Sequence, residues 1–357
     1  MKNTFIIAEA GVNHNGSLDT ALMLVDVAAR AGADAVKFQT FSADEIATRS
    51  VARADYQEHN SKASSQHEML RQLELSPEAH CVIAARCADL GIEFMSTAFC
   101  PATLAFLIQR TGIQRIKIPS GEIVNPLLLV AAGRSGLPVI MSTGMADLGE
   151  ITEALQLLCF GGLSVADKPT KETLVRAMAS PEGRSWLSAK VTLLHCTTAY
   201  PAPPNTINLR VMGPLSNRYA VPVGFLEHSE GIEIVGAAAA LGAVVIEKHF
   251  TLGRGMEGPD HRASLEPDEL AQMVANIRNI DIALGNAEKK PDREELKMRA
   301  VARRVLVAAR DIEAGEILDE GAIAVKRAGE GISAMQYWSW IGRKAGRSYR
   351  RDECLIS

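Results

Sequence analysis

One pattern recurs through most of this chain and narrows its fold more than any other feature. An apolar run of five to seven residues ends in polar residues, and an amphipathic helical segment follows. The runs begin at Phe5, Ala35, Ile92, Arg115, Val139, Val191, Val221 and Val244. Several of the intervening segments end as helices stopped by glycine, such as Ala28-Ala-Arg-Ala-Gly32 and Ala238-Ala-Ala-Leu-Gly242. Strands that alternate with helices pair in parallel. Eight such units over about 285 residues predict a (β/α)₈ barrel, the TIM-barrel form of the α/β class. A doubly wound dinucleotide fold would require a Gly-x-Gly-x-x-Gly turn after the first strand, and Gly11-Val-Asn-His-Asn-Gly16 does not supply it.

The register changes after Leu284-Gly285. A charged stretch over 285–299 reads as a linker, and short β-like runs at Val305 and Ile323, broken by Gly315, Gly321, Gly329 and Gly331, read as a second domain over 300–357. A β-rich unit that small buries little apolar surface by itself, so it is expected to lean on the barrel (1–284) or on another subunit. Two stretches exceed a simple repeat. Residues 41–75 read as a long loop over the barrel mouth, and 161–190 as an inserted helix–loop.

Composition excludes some functions. The formal charge of −4 leaves no basic excess for neutralising phosphates of nucleic acid. No apolar run reaches the roughly 18 residues of a membrane span. An acid at Glu9 interrupts the only apolar run near the N-terminus, so a signal peptide is not expected. Six scattered cysteines without a Cys-x-x-Cys pair suit a reducing, cytoplasmic setting.

Chemistry on this fold gathers at the C-terminal ends of the strands. Those ends carry Glu9, Lys37 with Gln39, Thr97, Lys117 with Ser120 and Glu122, Ser142, Tyr200, His228 and His249. Two histidines on adjacent strands are placed to share a metal, and imidazole with carboxylate or water suits Mn, Fe, Co or Zn. Glu9 either approaches that site or pairs with a lysine. Lysines within strands of Val, Phe and Ile are costly unless paired or functional. A Schiff-base nucleophile, an anion clamp or internal pairs with Glu9 and Glu122 all satisfy them, and the hydroxyls of Ser120, Ser142 and Thr143 favour the clamp. His14 and His261 are expected in loops facing the mouth, and His59, His67 and His80 at the surface.

Ile7-Ala-Glu-Ala-Gly-Val-Asn-His-Asn-Gly, Val36-Lys-Phe-Gln-Thr, Lys117-Ile-Pro-Ser-Gly-Glu, Ser142-Thr-Gly-Met, His195-Cys-Thr-Thr and Glu247-Lys-His-Phe occur in this order. Together they resemble the sialic acid synthase family, and the tail resembles its antifreeze-like (SAF, β-clip) domain. The resemblance implies condensation of phosphoenolpyruvate with N-acetylmannosamine and water to give N-acetylneuraminate and phosphate, by C–O cleavage. A rival acceptor is 2,4-diacetamido-2,4,6-trideoxymannose, giving N,N′-diacetyllegionaminate. By the same resemblance His228 and His249 hold Mn²⁺ or Mg²⁺, with Co²⁺ a further option. Lys37, Thr97, Lys117, Ser120, Ser142 and Tyr200 form the phosphoenolpyruvate pocket, with Glu9 and Glu122 near the reacting carbons. Gln39 and Asp260 contact the sugar, and Arg327 reaches a partner's active site in a domain-swapped homodimer. The chain departs from the family pattern in several places: Glu227 precedes His228 where aspartate is usual, Glu257 opens Gly-Pro-Asp260 where proline is frequent, Ala328 follows Arg327 in place of proline, and Thr198 stands where some members have asparagine. A Schiff-base aldolase and a non-catalytic sugar- or ice-binding protein are the readings from other classes.

Overall fold

The computed structural model describes residues 3–49 and 65–356, and it divides into two compact units, Met1–Gly285 and Asn286–Ser357. The first unit contains a closed barrel of eight parallel strands in sequential order. These are β1 (Phe5–Gly11), β2 (Ala35–Thr40), β3 (Glu93–Ala98), β4 (Ile116–Ile118), β5 (Val139–Ser142), β6 (Val191–Cys196), β7 (Val223–Glu227) and β8 (Val245–His249).

Side chains alternate between the two faces of each strand, and this rule builds the barrel in layers. One face packs outward on the helices, with Ile6, Ala8, Val36, Phe38, Ile118, Met141 and Ile246 in a single large core. The other face points inward, where Ile7, Ala35, Met95, Ile140, Leu194, Leu226 and Val245 form a separate apolar plug. Two residues further along most of these strands stand Glu9, Lys37, Thr97, Ser142, Cys196, His228 and Glu247. The polar layer therefore rests directly on an apolar floor and is cut off from water below.

The helices follow local rules. Leu18–Arg30 starts at Ser17, whose hydroxyl accepts the Thr20 N–H at 3.2 Å, and it buries Leu24, Val25 and Ala28. The 161–190 insertion contains two helices, Lys171–Ala179 and Pro181–Lys190, capped by Thr170 and Ser180. The 41–75 stretch is not a simple loop: helices Ala43–Ile46 and Gln66–Gln72 lie within it. Met69 and Leu73 anchor the second of these against Val12 and Phe41. Tyr56, His59 and Ser64 lie outside the described residues.

In the second unit, β9 (Val305–Ala308) pairs antiparallel with β10 (Ile323–Lys326). Leu306, Ile312, Leu318, Ile323, Trp340, Tyr349 and Leu355 form its core. The stretch expected as a linker contains an exposed helix, Arg293–Ala302, capped by Asp292 and Glu295. Among the described residues no helix is long and apolar enough to cross a membrane. All six cysteines are free.

Candidate active site

Four charged side chains meet above the apolar plug. Lys37 Nζ lies 2.7 Å from Glu9 Oε2 and 3.6 Å from Glu247 Oε1, and it donates to Thr97 Oγ1 at 3.1 Å. Lys117 Nζ lies 3.1 Å from the same Glu247 oxygen. All four residues are at most 2% exposed, so no solvent screens them. Strand register makes several of them neighbours: Glu9 pairs with Lys37 and with His249, and Thr97 with Lys117.

Burial dominates the titration of this layer. It raises the Glu9 carboxyl to about 7 in spite of Lys37 beside it. Burial also works against the charge on Glu247, but Lys117 and Lys37 prevail and keep it ionised below the ordinary range. Lys117 is lowered by burial and by Lys37, an effect Glu247 only partly offsets. Lys37 is opposed by burial too, but Glu247 and Glu9 together hold it above its usual value.

Glu247 is the site residue that the sequence reading left out, although its motif was noted. The signal was present: it sits two residues from Val245 and two from His249, on the inward face of β8. Among the described residues Glu122 pairs with no lysine. It lies half-buried in the Ser120–Glu122 turn, where Oε2 accepts the Asn125 Nδ2–H at 2.7 Å.

The two histidines come together as expected from their strands, with ring centroids 5.6 Å apart. The Thr197 carbonyl accepts from His228 Nδ1 at 2.7 Å, so the proton is on Nδ1 and Nε2 keeps its lone pair. That Nε2 and His249 Nδ1 are buried without a hydrogen-bond partner. Burial lowers His228 to about 4 and His249 well below its usual range, which leaves both imidazoles neutral. Neutral rings with unpartnered nitrogens are groups that could hold a divalent cation. Asp260 Oδ2 lies 4.0 Å from His249 Nδ1, and burial raises its carboxyl to about 6. Tyr200 packs 4.2 Å from the His228 ring centroid. No cluster of three or more His, Cys, Asp or Glu forms a metal cage among the described residues. Two imidazoles could hold a cation only with its remaining positions left to water or substrate.

A hydroxyl cluster flanks the charges. Ser142 Oγ is buried without a partner, and Ser120 Oγ accepts the Gly144 N–H at 3.1 Å. A Cβ on Gly144 would stand 2.2 Å from Thr198 Oγ1 and 2.8 Å from Ser120 Oγ, so only glycine lets these hydroxyls approach the backbone. Beside them opens a cavity of about 900 Å³ lined in part by Thr143, Met145, Cys196, Thr197 and Thr198. Gln39 is half-buried at the end of β2. Arg327 is exposed, just beyond β10 in the second unit.

One histidine, His80, differs from expectation. His14 follows β1 and His261 lies in the segment after β8, and both are fully buried. His14 Nδ1 accepts the Gly16 N–H at 3.0 Å, and His261 lies 2.6 Å from Thr251 Oγ1 and 3.2 Å from Asn15 Oδ1. His80 is buried on helix Pro77–Leu90, with its Nδ1 3.0 Å from the Ser76 carbonyl and its Nε2 3.4 Å from that of Gln39, because the inner face of that helix packs against the barrel.

A parallel eight-stranded barrel with buried lysines, carboxylates and paired imidazoles at the C-terminal ends of its strands is the architecture of a barrel enzyme. Residues 24–289 match the NeuB family and residues 303–355 the SAF domain. The chain is 43% identical, over 99% of both chains, to the N,N'-diacetyllegionaminic acid synthase of Campylobacter jejuni. It is 41% identical to the Legionella pneumophila protein of the same name, over 99% of this chain and 93% of that one. The human N-acetylneuraminate-9-phosphate synthase is 30% identical over 99% and 91%. Among solved structures, the N-acetylneuraminic acid synthetase of Leptospira borgpetersenii in complex with citrate superposes with a TM-score of 0.66. It is 33% identical, over 83% of this chain and 91% of that one. The chain belongs to the NeuB family, and it is an enzyme of the sialic acid synthase family.

Proposed function

We propose that this protein condenses phosphoenolpyruvate with an acetamido sugar and water to form a nonulosonic acid and phosphate. The observation that carries the reading is the buried cluster of Lys37, Lys117, Glu9 and Glu247 beside two neutral, orphaned imidazoles. Of the two acceptors, 2,4-diacetamido-2,4,6-trideoxymannose is favoured, because identity to the two N,N'-diacetyllegionaminic acid synthases is 43% and 41% against 30% for the human enzyme. N-acetylmannosamine is the second reading.

In this mechanism Lys37 and Lys117 bind the carboxylate and phosphate of phosphoenolpyruvate through charge-assisted hydrogen bonds. The hydroxyls of Thr97, Ser120 and Ser142 complete its shell, with Tyr200 against the histidines. Gln39 and Asp260 orient the sugar. Carbon 3 of phosphoenolpyruvate attacks the open-chain aldehyde, water adds at carbon 2, and the C2–O bond to phosphate breaks. Glu9, whose carboxyl burial raises to about 7, gives a proton to the new alkoxide. Glu122 takes one from the water. A divalent cation held by His228 and His249, Mn²⁺ or Mg²⁺, would supply Lewis acidity to the aldehyde oxygen. The enzyme acts as a homodimer in which Arg327 of one subunit completes the partner's site, and it works in the cytoplasm.

The test measures phosphate release from phosphoenolpyruvate with each sugar, before and after treatment with a chelator. The expected result is fastest turnover with the diacetamido sugar, abolished by chelation and restored by Mn²⁺. Release that survives metal removal sinks the metal assignment, and no release with any mannose derivative sinks the function. Borohydride with pyruvate should trap no lysine adduct.

A further inference from the structure

Two buried charges with no part in this chemistry hold the turn after β7. Glu227 is 1% exposed and Lys248 0%. Glu227 Oε1 accepts the Ser229 N–H at 2.6 Å, on the peptide that leaves His228. Lys248 donates its ammonium to the Ser229 carbonyl. The turn is also tied by the Ala202 N–H, which donates to the His228 carbonyl at 2.9 Å. With Thr197 on the ring, His228 is restrained at its side chain, its own carbonyl and the amide that follows it.

Strand alternation explains why these two residues do this. Glu227 ends β7 and Lys248 precedes His249 on β8, so their side chains leave on the face opposite the catalytic layer. The Lys248 stem starts on β8 and its ammonium ends on the β7 turn, which links the two strand ends that carry the histidines. Burying a lysine and a carboxylate is costly unless hydrogen bonds compensate. Here both charges act on backbone groups of one residue, Ser229, and charge-assisted bonds to those groups are stronger than neutral ones.

We propose that Glu227 and Lys248 are positioning residues that clamp Ser229 and set the separation and aim of His228 Nε2 relative to His249. The proposal rests on the reading of these histidines as ligands of a divalent cation.

Calorimetric titration of the metal-free full-length chain with Mn²⁺ tests it, with melting temperatures measured in parallel. Outer-shell partners of metal ligands typically contribute about 10–100-fold in affinity. Glu227→Ala and Lys248→Met should each weaken Mn²⁺ binding by about that factor, while Glu227→Gln, which keeps an acceptor oxygen, restores most of it. Lys248→Met preserves the packed stem and reads the second arm if Glu227→Ala fails to fold. Wild-type protein that binds Mn²⁺ no better than either variant overturns the clamp alone. Wild-type protein that takes up no Mn²⁺ overturns the metal reading, and the clamp with it.

Discussion

Glu247 Oε1 stands 3.1 Å from Lys117 Nζ, so a carboxylate of β8 meets an ammonium that β4 brings from the opposite wall of the barrel. The same oxygen lies 3.6 Å from Lys37, which makes Glu247 the counter-ion to both cations of the proposed substrate clamp. Glu247→Gln keeps the shape of this side chain and removes its charge. Lys117, already lowered by burial, then loses its main support and deprotonates at lower pH. We expect kcat/KM for phosphoenolpyruvate to fall about 100-fold, as for a misplaced reacting group. The alkaline limb of its pH profile should move to lower pH. An unmoved limb would mean that Glu247 does not keep Lys117 charged.

Glu9 carries a stability signature with a definite sign. Its folded carboxyl titrates near 7, above the ordinary value of 4.5, because burial opposes its charge. The folded state therefore binds the extra proton, and this contribution is fully present below about pH 4.5. It is lost as pH rises through about 7. Wild-type, metal-free protein should lose more thermal stability between pH 5 and pH 8 than Glu9→Gln does. Parallel melting curves for the two proteins across that window would contradict the assignment.

Gly144→Ala addresses the hydroxyl cluster without touching a charge. The new Cβ meets the side-chain ends of Thr198 and Ser120, which can move, rather than fixed backbone. The fold should survive with a melting temperature close to wild type, while KM for phosphoenolpyruvate rises about tenfold, the effect of losing one hydrogen bond to a charged group. Steady-state kinetics with the sugar saturating would check this, and an unchanged KM would remove Ser120 and Thr198 from the pocket.

Arg327→Ala should lower turnover strongly and leave the melting temperature unchanged, since the side chain is exposed in its own unit. Mixed with an inactive Lys117→Met protein under subunit exchange, it should recover part of the activity. Recovery requires one site to draw its arginine from the other chain. Absence of recovery would exclude an arginine acting across subunits.

Much of this molecule follows from periods of two and three to four residues along the chain. The order Ile7–Glu9, Ala35–Lys37, Met95–Thr97 and Val245–Glu247 sets an apolar floor and a polar layer two residues above it, because alternation is a property of each strand alone. The eight strands, the paired histidines and the family motifs were legible for the same reason. The helix Gln66–Gln72 was not, because it is short and polar and its apolar side chains Met69 and Leu70 pack on residues distant in sequence. The burial of His80 is not legible either, because burial of one face of a helix depends on what packs against it.

Which charges meet was decided only in three dimensions. Lys117 and Glu247 are 130 residues apart, and Lys37 pairs with Glu9 rather than leaving that acid to the histidines. Closure of the barrel sets those distances, and burial then moves Glu9 and Lys117 away from their ordinary titration ranges. Residue order prescribes which side chains point inward; only the closed tertiary structure prescribes which of them share a proton, a counter-ion or a ligand.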